Sequence, residues 1–579
     1  MTEISTISVA RRERLTPSPW DGIALCLVAG TLALIVYGAQ QMGAPLASAA
    51  KAQISLSPWA LPEYALRTTL RMFAALGASL LFTFTYATAA AKSRRAGAVL
   101  IPILDVLQSV PVLGFLSFTV VGFMALFPGS VAGAECAAIF AIFTAQAWNM
   151  AFSFYQSLRT IPSDLDEASR AFRLSGWQRF WRLEVPFAMP ALVWNMMMSM
   201  SGSWFFIVAS EAISVGNTTI TLPGIGSYVA LAIERRDLAA VFYAVGAMLV
   251  VILAYDQLLF RPLVAWAQKF RFEQTMGQDV PGVWLLRVLN RARLVQLALI
   301  PVQAGFTSVA HAPLTLGRWR WRRSAAQKRW ASLLWGVVWW SVWGLVGAYG
   351  LYALYGELAG RVDLVEVLTA FNLGLMTMIR VIVLVALASL VWVPIGVWIG
   401  LRPRLAMRLQ LIAQILAAFP ANLLFPVAVV GILHFQLNPN IWLSPLMILG
   451  TQWYILFNVI AGASAFPNDL RDAAANFRVG GRHWWFKVML PGIFPYFITG
   501  GLTATGGSWN ASIVAELVVW GNTRLEANGL GSYIAKATVA GDYPRIILGV
   551  MVMAVFVTVF NRLVWRPLHN FAERRLRMI

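Results

Sequence analysis

The chain carries roughly twelve apolar runs, each long enough for a helix of about 20 residues to cross the hydrocarbon core of a bilayer. They fall near 21–39, 64–90, 98–126, 135–155, 188–209 and 239–260, then 331–356, 367–399, 407–433, 442–461, 495–515 and 545–562. In lipid, backbone N–H and C=O groups must find partners within the protein, which leaves helices as the natural state of such runs. The expected fold class is all-α, a polytopic membrane protein of about 12 transmembrane helices. Composition points the same way: 59% of the 579 residues are hydrophobic and 12% charged, against about a quarter charged in soluble domains. That excludes a water-soluble enzyme, because so few polar residues cannot cover its surface.

The charge that remains is lopsided, with 45 Lys+Arg against 25 Asp+Glu and a net +20. A nucleic-acid binder would gather this surplus on one basic face, whereas a polytopic protein places it in cytoplasmic loops. Arg11, Arg12 and Arg14 precede the first run, which sets the N-terminus inside, and the first run reads as an uncleaved helix. Alternation then puts Lys92, Arg94 and Arg95 inside, with the loops at 40–63 and 127–134 outside. The segments 156–187, 261–330 and 462–494, Arg402, Arg404 and Arg408, and the tail from Arg562 to Arg577 also fall inside. Within 261–330, twelve Lys/Arg face only Glu273 and Asp279, and 282–303 fits an interfacial helix. Trp319, Trp321, Trp330, Trp335, Trp339 and Trp340 crowd the inner end of the seventh run as an aromatic belt. The surplus tracks one side of the membrane, so the partner is lipid and not nucleic acid.

Cys26 and Cys136 lie in apolar runs, the four histidines are scattered, and neither pattern makes a metal site. No GxxxxGK[ST] occurs, and the chain lacks the Gly-Lys dipeptide altogether, so it has no P-loop of its own.

The two halves are copies. From Pro162 onward a shift of 305 residues (Pro467 minus Pro162) aligns them without a gap for roughly a hundred positions. Identities include Phe172/Phe477, Arg173/Arg478, Gly176/Gly481, Pro186/Pro491, Ser203/Ser508, Trp204/Trp509, Glu211/Glu516, Gly224/Gly529 and Gly226/Gly531. Upstream the shift is 309, pairing Thr68/Thr377, Arg71/Arg380 and Pro111/Pro420. An even number of spans per copy makes this two parallel 6-helix repeats, whose pseudo-twofold axis runs along the membrane normal. The expected division is an N-terminal tail at 1–20, a first membrane domain at 21–265, a basic linker at 266–330, a second membrane domain at 331–568 and a tail at 569–579.

Between the fourth and fifth spans of each copy lie 162-PSDLDEASRAFRLSGWQRFWRLEVPFAMP-190 and 467-PNDLRDAAANFRVGGRHWWFKVMLPGIFP-495. Each reads as Pro, an N-cap residue (Ser163 or Asn468), a short helix, a turn at Gly176 or Gly481 where φ > 0 is cheap, and a second short helix stopped by Pro186 or Pro491. Ser163 and Asp166 are spaced as a capping box. A helix–turn–helix held between two spans can act as a rigid peg; an ordinary amphipathic loop is the alternative.

Glu-Ala-Ser at 167–169 and Asp-Ala-Ala at 472–474, each followed by Gly and later by a Pro, resemble the signature loop of importer-type ABC transporter permeases. The stretches 203-SWFFIVASE-211 and 508-SWNASIVAE-516, each before a Gly-x-Gly-Ser-Tyr, look like the nitrate/sulfonate/taurine (NitT/TauT) branch. The resemblance covers about 60–265 and 370–570 and implies two permease domains fused in one chain. It further implies that Glu167, Ala168 and Gly176 couple to one ATP-binding cassette ATPase subunit, and Asp472, Ala473 and Gly481 to a second. ATP and Mg then belong to those partners, with no cofactor on this chain. A periplasmic or lipid-anchored solute-binding protein and a bacterial inner membrane, with both termini cytoplasmic, are part of the same implication. The departures from the full Glu-Ala-Ala triplet leave room for unequal sites.

Charges inside spans are costly and mark functional candidates. Arg71 and Arg380 can meet an anion with guanidinium geometry, snorkel to headgroups, or pair with an acid. Glu211 and Glu516 can be that acid or can seal an outer gate. Ser203, Trp204, Ser508, Trp509 and Asn510 are pathway candidates, each indole N–H calling for a partner; helix packing is the competing reading. Asp105, with Gln414 as its counterpart, is either a one-sided polar contact or a partner for the kink at Pro111. The expected function is alternating-access uptake of a small, anionic solute of the nitrate, sulfonate, taurine or bicarbonate kind. A twelve-span secondary transporter is the alternative.

Overall fold

The computed structural model describes residues 54–128, 130–215, 218–270 and 325–575, with pieces of 21–36 and 284–312. The N-terminal tail, most of the first run, most of the linker with Trp319 and Trp321, and residues 576–579 lie outside the described residues.

Helices dominate the rest. The first half runs α1 (Pro58–Lys92), α2 (Arg94–Ser109), α3 (Val112–Leu126), α4 (Ala132–Arg159), the short α5 (Ser163–Ala171) and α6 (Gly176–Ser210). A hairpin of β1 (Ala212–Val215) and β2 (Thr218–Thr221) follows, then α7 (Ile225–Glu234) and α8 (Leu238–Ala267). After a linker helix α9 (Trp284–Arg291) come α10 (Ala325–Leu358), α11 (Leu364–Gly400), α12 (Pro403–Ala418), α13 (Phe425–His434), α14 (Pro439–Leu449) and α15 (Gln452–Ser464). The second half closes with α16 (Asn468–Asn476), α17 (Gly481–Ala515), β3 (Leu517–Trp520), β4 (Thr523–Glu526), α18 (Leu530–Ala540) and α19 (Tyr543–Ala572). From α1 and α11 onward, corresponding elements recur in one order, as a parallel repeat requires.

Eight of these helices are long and apolar enough to cross a membrane, or up to ten counting bent pairs as single spans. The third run of each half is broken rather than continuous. Val110 and Phe419 take extended backbone angles because each precedes a proline. In the second half the chain turns by 80° at this break. A further bend of 43° separates α14 from α15.

The second helix of each peg does not stop at Pro186 or Pro491. Both α6 and α17 run on through a π-helical turn, Phe180–Glu184 and Trp485–Met489, that places the proline at the start of the next α-helical stretch. The wider turn gives the ring room where an ordinary turn would clash with it. Peg and fifth span are thus one rod.

The largest helix contacts within each half, α4 with α6 and α15 with α17, are repeat equivalents. Across the halves, the Asn510 side chain accepts from Val112 N–H (2.8 Å), satisfying the donor freed at the Pro111 break. At the equivalent crossing Phe205 has no such group, and Asn422 instead donates to its carbonyl (3.2 Å). At the hairpin end, Gly521 at the tip of β3–β4 donates to Ile233 O of α7 (3.0 Å), so this hairpin reaches over the opposite half.

Candidate functional site

The pegs protrude at one end of the bundle, and their tips differ from the expected ones in detail. Pro162 itself is the N-cap of α5; Ser163 is its first residue, and its hydroxyl donates to Asp164 (3.3 Å). The Ser163–Asp166 capping box is therefore absent. A capping box forms instead at Ser175 and Gln178, where α6 begins. The left-handed residue at the turn is Arg173 (φ 51) and, in the other copy, Arg478 (φ 51), not Gly176. Gly481 does take a positive φ of 58. Leu174 N–H returns to Ser169 O (3.1 Å) and Val479 N–H to Ala474 O (2.9 Å), which closes each peg helix with a Schellman-type turn. Glu167, Ala168, Gly176, Asp472 and Gly481 are exposed on these tips, and Ala473 is half-buried. Beside them Phe172 and Phe477 stand 79% and 82% exposed, an apolar knob at the same place on both pegs. The repeat identity of Phe172/Phe477 was visible in the sequence; that it points outward was not.

At the opposite, hairpin end, each half buries a charged cluster. Arg71 is fully buried. It makes a two-pronged pair with Glu135 (2.6 and 2.7 Å) and donates to Glu211 (2.7 Å) and Pro223 O (3.0 Å). Glu211 also accepts from Thr68 (2.6 Å) and from the backbone N–H of Gly226 (2.7 Å). A Cβ at Gly224 would fall on the Glu211 carboxylate, and one at Gly226 on Val208 O, so these positions need glycine. The second half repeats the frame. Glu516 accepts from Thr377 (2.9 Å), Arg380 (3.0 Å), Gly531 N–H (2.8 Å) and Ser532 N–H (3.2 Å). Here, however, Asn440 stands where Glu135 does, 3.5 Å from Arg380, and the Arg380 side chain keeps 15% exposure. Glu135 was missed because it has no carboxylate mate. Outside the spans, burial and the Glu366 carboxylate that accepts its hydrogen bond (2.9 Å) push the Tyr533 hydroxyl pKa up.

Of the remaining candidates, Asn510 crosses to the other half, while the serines and tryptophans sit inside their own. Ser203 and Ser508 are buried and donate one turn back, to Ser199 O (2.7 Å) and Ala504 O (2.8 Å). Trp204 and Trp509 are buried against Tyr255 and Phe556, and neither indole N–H has a hydrogen-bond partner among the described residues. A cavity of about 70 Å³ lies between the halves, lined by Ser201, Phe205 and Phe206 of α6 and by Thr451, Tyr454 and Ala511 among others. No charged side chain lines it. Residues 201, 202, 205 and 206 form one stripe of α6, so the Trp204 face turns away from it. Asp105 instead crosses to the other half, accepting from Arg566 (3.0 Å). Its counterpart Gln414 meets Asp256 (3.3 Å), which also holds Arg261 (3.2 Å). Among the described residues no group of His, Cys, Asp and Glu could hold a metal ion.

Comparison with known proteins matches both halves. The family described as binding-protein-dependent transport system inner membrane component fits residues 81–260 and again 392–577. Among individual relatives, the bicarbonate transport system permease protein CmpB of Synechococcus elongatus is 29% identical over 179 residues, 31% of this chain and 61% of that protein. The nitrate import permease protein NrtB of Leptolyngbya laminosa is 25% identical over 185 residues, 32% of this chain and 63% of that protein. The glycine betaine/proline betaine transport system permease protein ProW of Escherichia coli is 30% identical over 165 residues, 28% and 42% respectively. The chain therefore aligns with about 60% of the length of the bicarbonate and nitrate relatives. With both halves matched, the chain belongs to the family of binding-protein-dependent transport system inner membrane components, as a multi-pass membrane protein carrying that family's domain twice.

Proposed function

We propose that this chain is the membrane-spanning part of an ATP-driven importer, passing a small solute between two fused permease domains. The observation that carries the reading is the pair of pegs. Each is a short exposed helix closed by a tight turn beside an exposed phenyl ring, and that turn leads into a helix that runs on unbroken as a span. A partner that grips such a tip moves the span with it. Two ATP-binding cassette ATPase subunits, carrying ATP and Mg, dock there on the cytoplasmic side of a bacterial inner membrane. ATP-driven closure of the pair then favours whichever permease state brings the pegs together. Transport, not catalysis, is this chain's part.

At the hairpin end, a periplasmic or lipid-anchored binding protein delivers the solute. We assign the solute to the small anions, of the nitrate, bicarbonate, sulfonate or taurine kind. The names of CmpB and NrtB support that class, and of the two cluster arginines Arg380 is the one with exposure left to meet such an anion. Arg71 is closed off by its carboxylates.

The test is a double charge reversal, Glu167→Lys with Asp472→Lys. It should abolish co-purification of the ATPase and ATP-dependent uptake while the protein still inserts and folds. Full ATPase binding and uptake by the double variant would refute the coupling assignment.

A further inference from the structure

The two pegs share a sequence frame but are tied to their membrane domains unequally. In the first, Asp166 receives both Arg170 (2.7 Å) and Arg179 (2.5 Å), and Arg179 reaches on to Glu184 (3.2 Å). Lys92, at the end of α1, closes the chain on Glu184 (2.9 Å) and lies 5.6 Å from the Phe180 ring centre. Exposed pairs of this kind contribute little singly, but Glu184 is buried and the run of contacts joins α5, the base of α6 and α1 into one body. The linker adds a further tie, with Trp177 Nε1 donating to Val309 O (2.8 Å).

The second peg has none of these partners. Arg471 replaces Asp166, Ala475 replaces Arg170, Trp484 replaces Arg179, Met489 replaces Glu184, Leu401 replaces Lys92 and Arg482 replaces Trp177. Among the described residues no ion pair joins α16 to the spans around it. Leu470 and Phe486 stand 44% and 68% exposed, where their mates Leu165 and Trp181 are half-buried.

We propose that the two pegs are unequal docking sites: the first is braced by its ion pairs and holds its ATPase tightly, while the second, formed but unbraced, gives up more side-chain freedom on docking and is the site at which an ATPase exchanges. This rests on the coupling reading above. A partner docking on the first peg finds its side chains already held, whereas docking on the second must also immobilise them, which weakens binding there.

The experiment uses the full chain in nanodiscs and the cassette ATPase that co-purifies with it, identified by peptide mass and then purified separately. Hydrogen exchange of the chain alone should be at least about tenfold slower across 163–184 than across 468–489. Titration with the ATPase should show two dissociation constants at least about fivefold apart. Phe172→Glu should remove the tight step and Phe477→Glu the weak one. Asp166→Asn with Lys92→Met, which loosens the first peg without touching its tip, should bring the tight constant to the weak value. Equal exchange in the two pegs and a single dissociation constant at a stoichiometry of two overturn the inequality and leave the coupling reading standing. An ATPase that stays bound to Phe172→Glu/Phe477→Glu overturns the coupling reading itself.

Discussion

The charged clusters of the two halves start from one plan and end with different charge. Thr68, Arg71, Glu211, Gly224 and Gly226 have Thr377, Arg380, Glu516, Gly529 and Gly531 as mates, in the same hydrogen-bonded frame. The first half then adds Glu135, so one arginine faces two carboxylates; the second has Asn440, so one arginine faces one carboxylate. Buried charges hold only when paired and hydrogen-bonded, and the first cluster meets that condition by enclosing Arg71 completely. The second leaves Arg380 partly open. The pegs differ in the same sense, with the ion pairs on the first. Fusing two copies into one chain lets one half become the fixed member and the other the adaptable one, which a symmetric homodimer cannot do.

Removing each arginine in turn puts the difference between the halves to its hardest test. Arg71→Met strands two buried carboxylates, and a loss of about 3–5 kcal/mol is expected from breaking a buried pair. Arg380→Met strands one carboxylate that keeps three other donors, and the expected loss is about 1–3 kcal/mol. Thermal unfolding in detergent reads both. Equal shifts in unfolding temperature would show that Glu135 adds nothing to the distinction. Glu135→Asn, which gives the first half the second half's composition, should then make Arg71→Met the milder substitution it is in the other copy.

Next in size, Gly224→Ala and Gly529→Ala test the frame the halves share. Each places a methyl on a glutamate carboxylate, and overpacking of this kind costs about 1–3 kcal/mol. Both substitutions should shift unfolding by the same amount. A clear difference would mean that the halves diverge in backbone as well as in charge.

Much of this molecule was legible in its sequence, and the illegible part has one cause. Apolar runs and repeat identities located the spans, the parallel copies and the pegs, because span length and a matched frame leave few alternatives. Identity between halves, however, selects what each half needs for itself. Trp204 and Trp509 are repeated because each fills its own bundle. Apart from Gly202 and Gly507, the residues that meet across the axis differ between copies, such as Phe205 against Asn510 and Phe206 against Ala511, and these line the cavity or cross between halves. Ranking candidates by identity therefore points toward packing. The hairpins escaped notice because four-residue strands beside long apolar helices carry too little periodicity. The continuity of α6 through Pro186 depends on a π turn that no residue pattern announces.

Asn510 gives a smaller effect, and it tests those crossings directly. Asn510→Ala removes the acceptor of Val112 N–H at a helix break, where an unsatisfied donor costs about 1–3 kcal/mol. Asn422→Ala removes only a second donor to a carbonyl, so its loss should be about 1 kcal/mol or less. If Asn422→Ala is the more damaging, the contact at Phe205 and not that at Pro111 holds the halves together.

The smallest effect on stability is expected at Arg173 and Arg478. A left-handed arginine is strained by about 1 kcal/mol, and glycine relieves that strain while gaining a similar freedom in the unfolded chain. Arg173→Gly and Arg478→Gly should therefore each change stability by no more than about 0.5 kcal/mol. Under the proposed coupling, these side chains stand beside the exposed phenyl rings that meet the docked ATPase. With unequal docking, their removal does not weigh equally on the two sites. Weakening a tight site leaves it occupied, whereas weakening a loose site empties it. ATP-dependent uptake should accordingly fall further for Arg478→Gly than for Arg173→Gly at the same unfolding temperature. The reverse order would place the loose site on the first peg, and a loss of stability in both would show that the arginines hold the turn and not the partner.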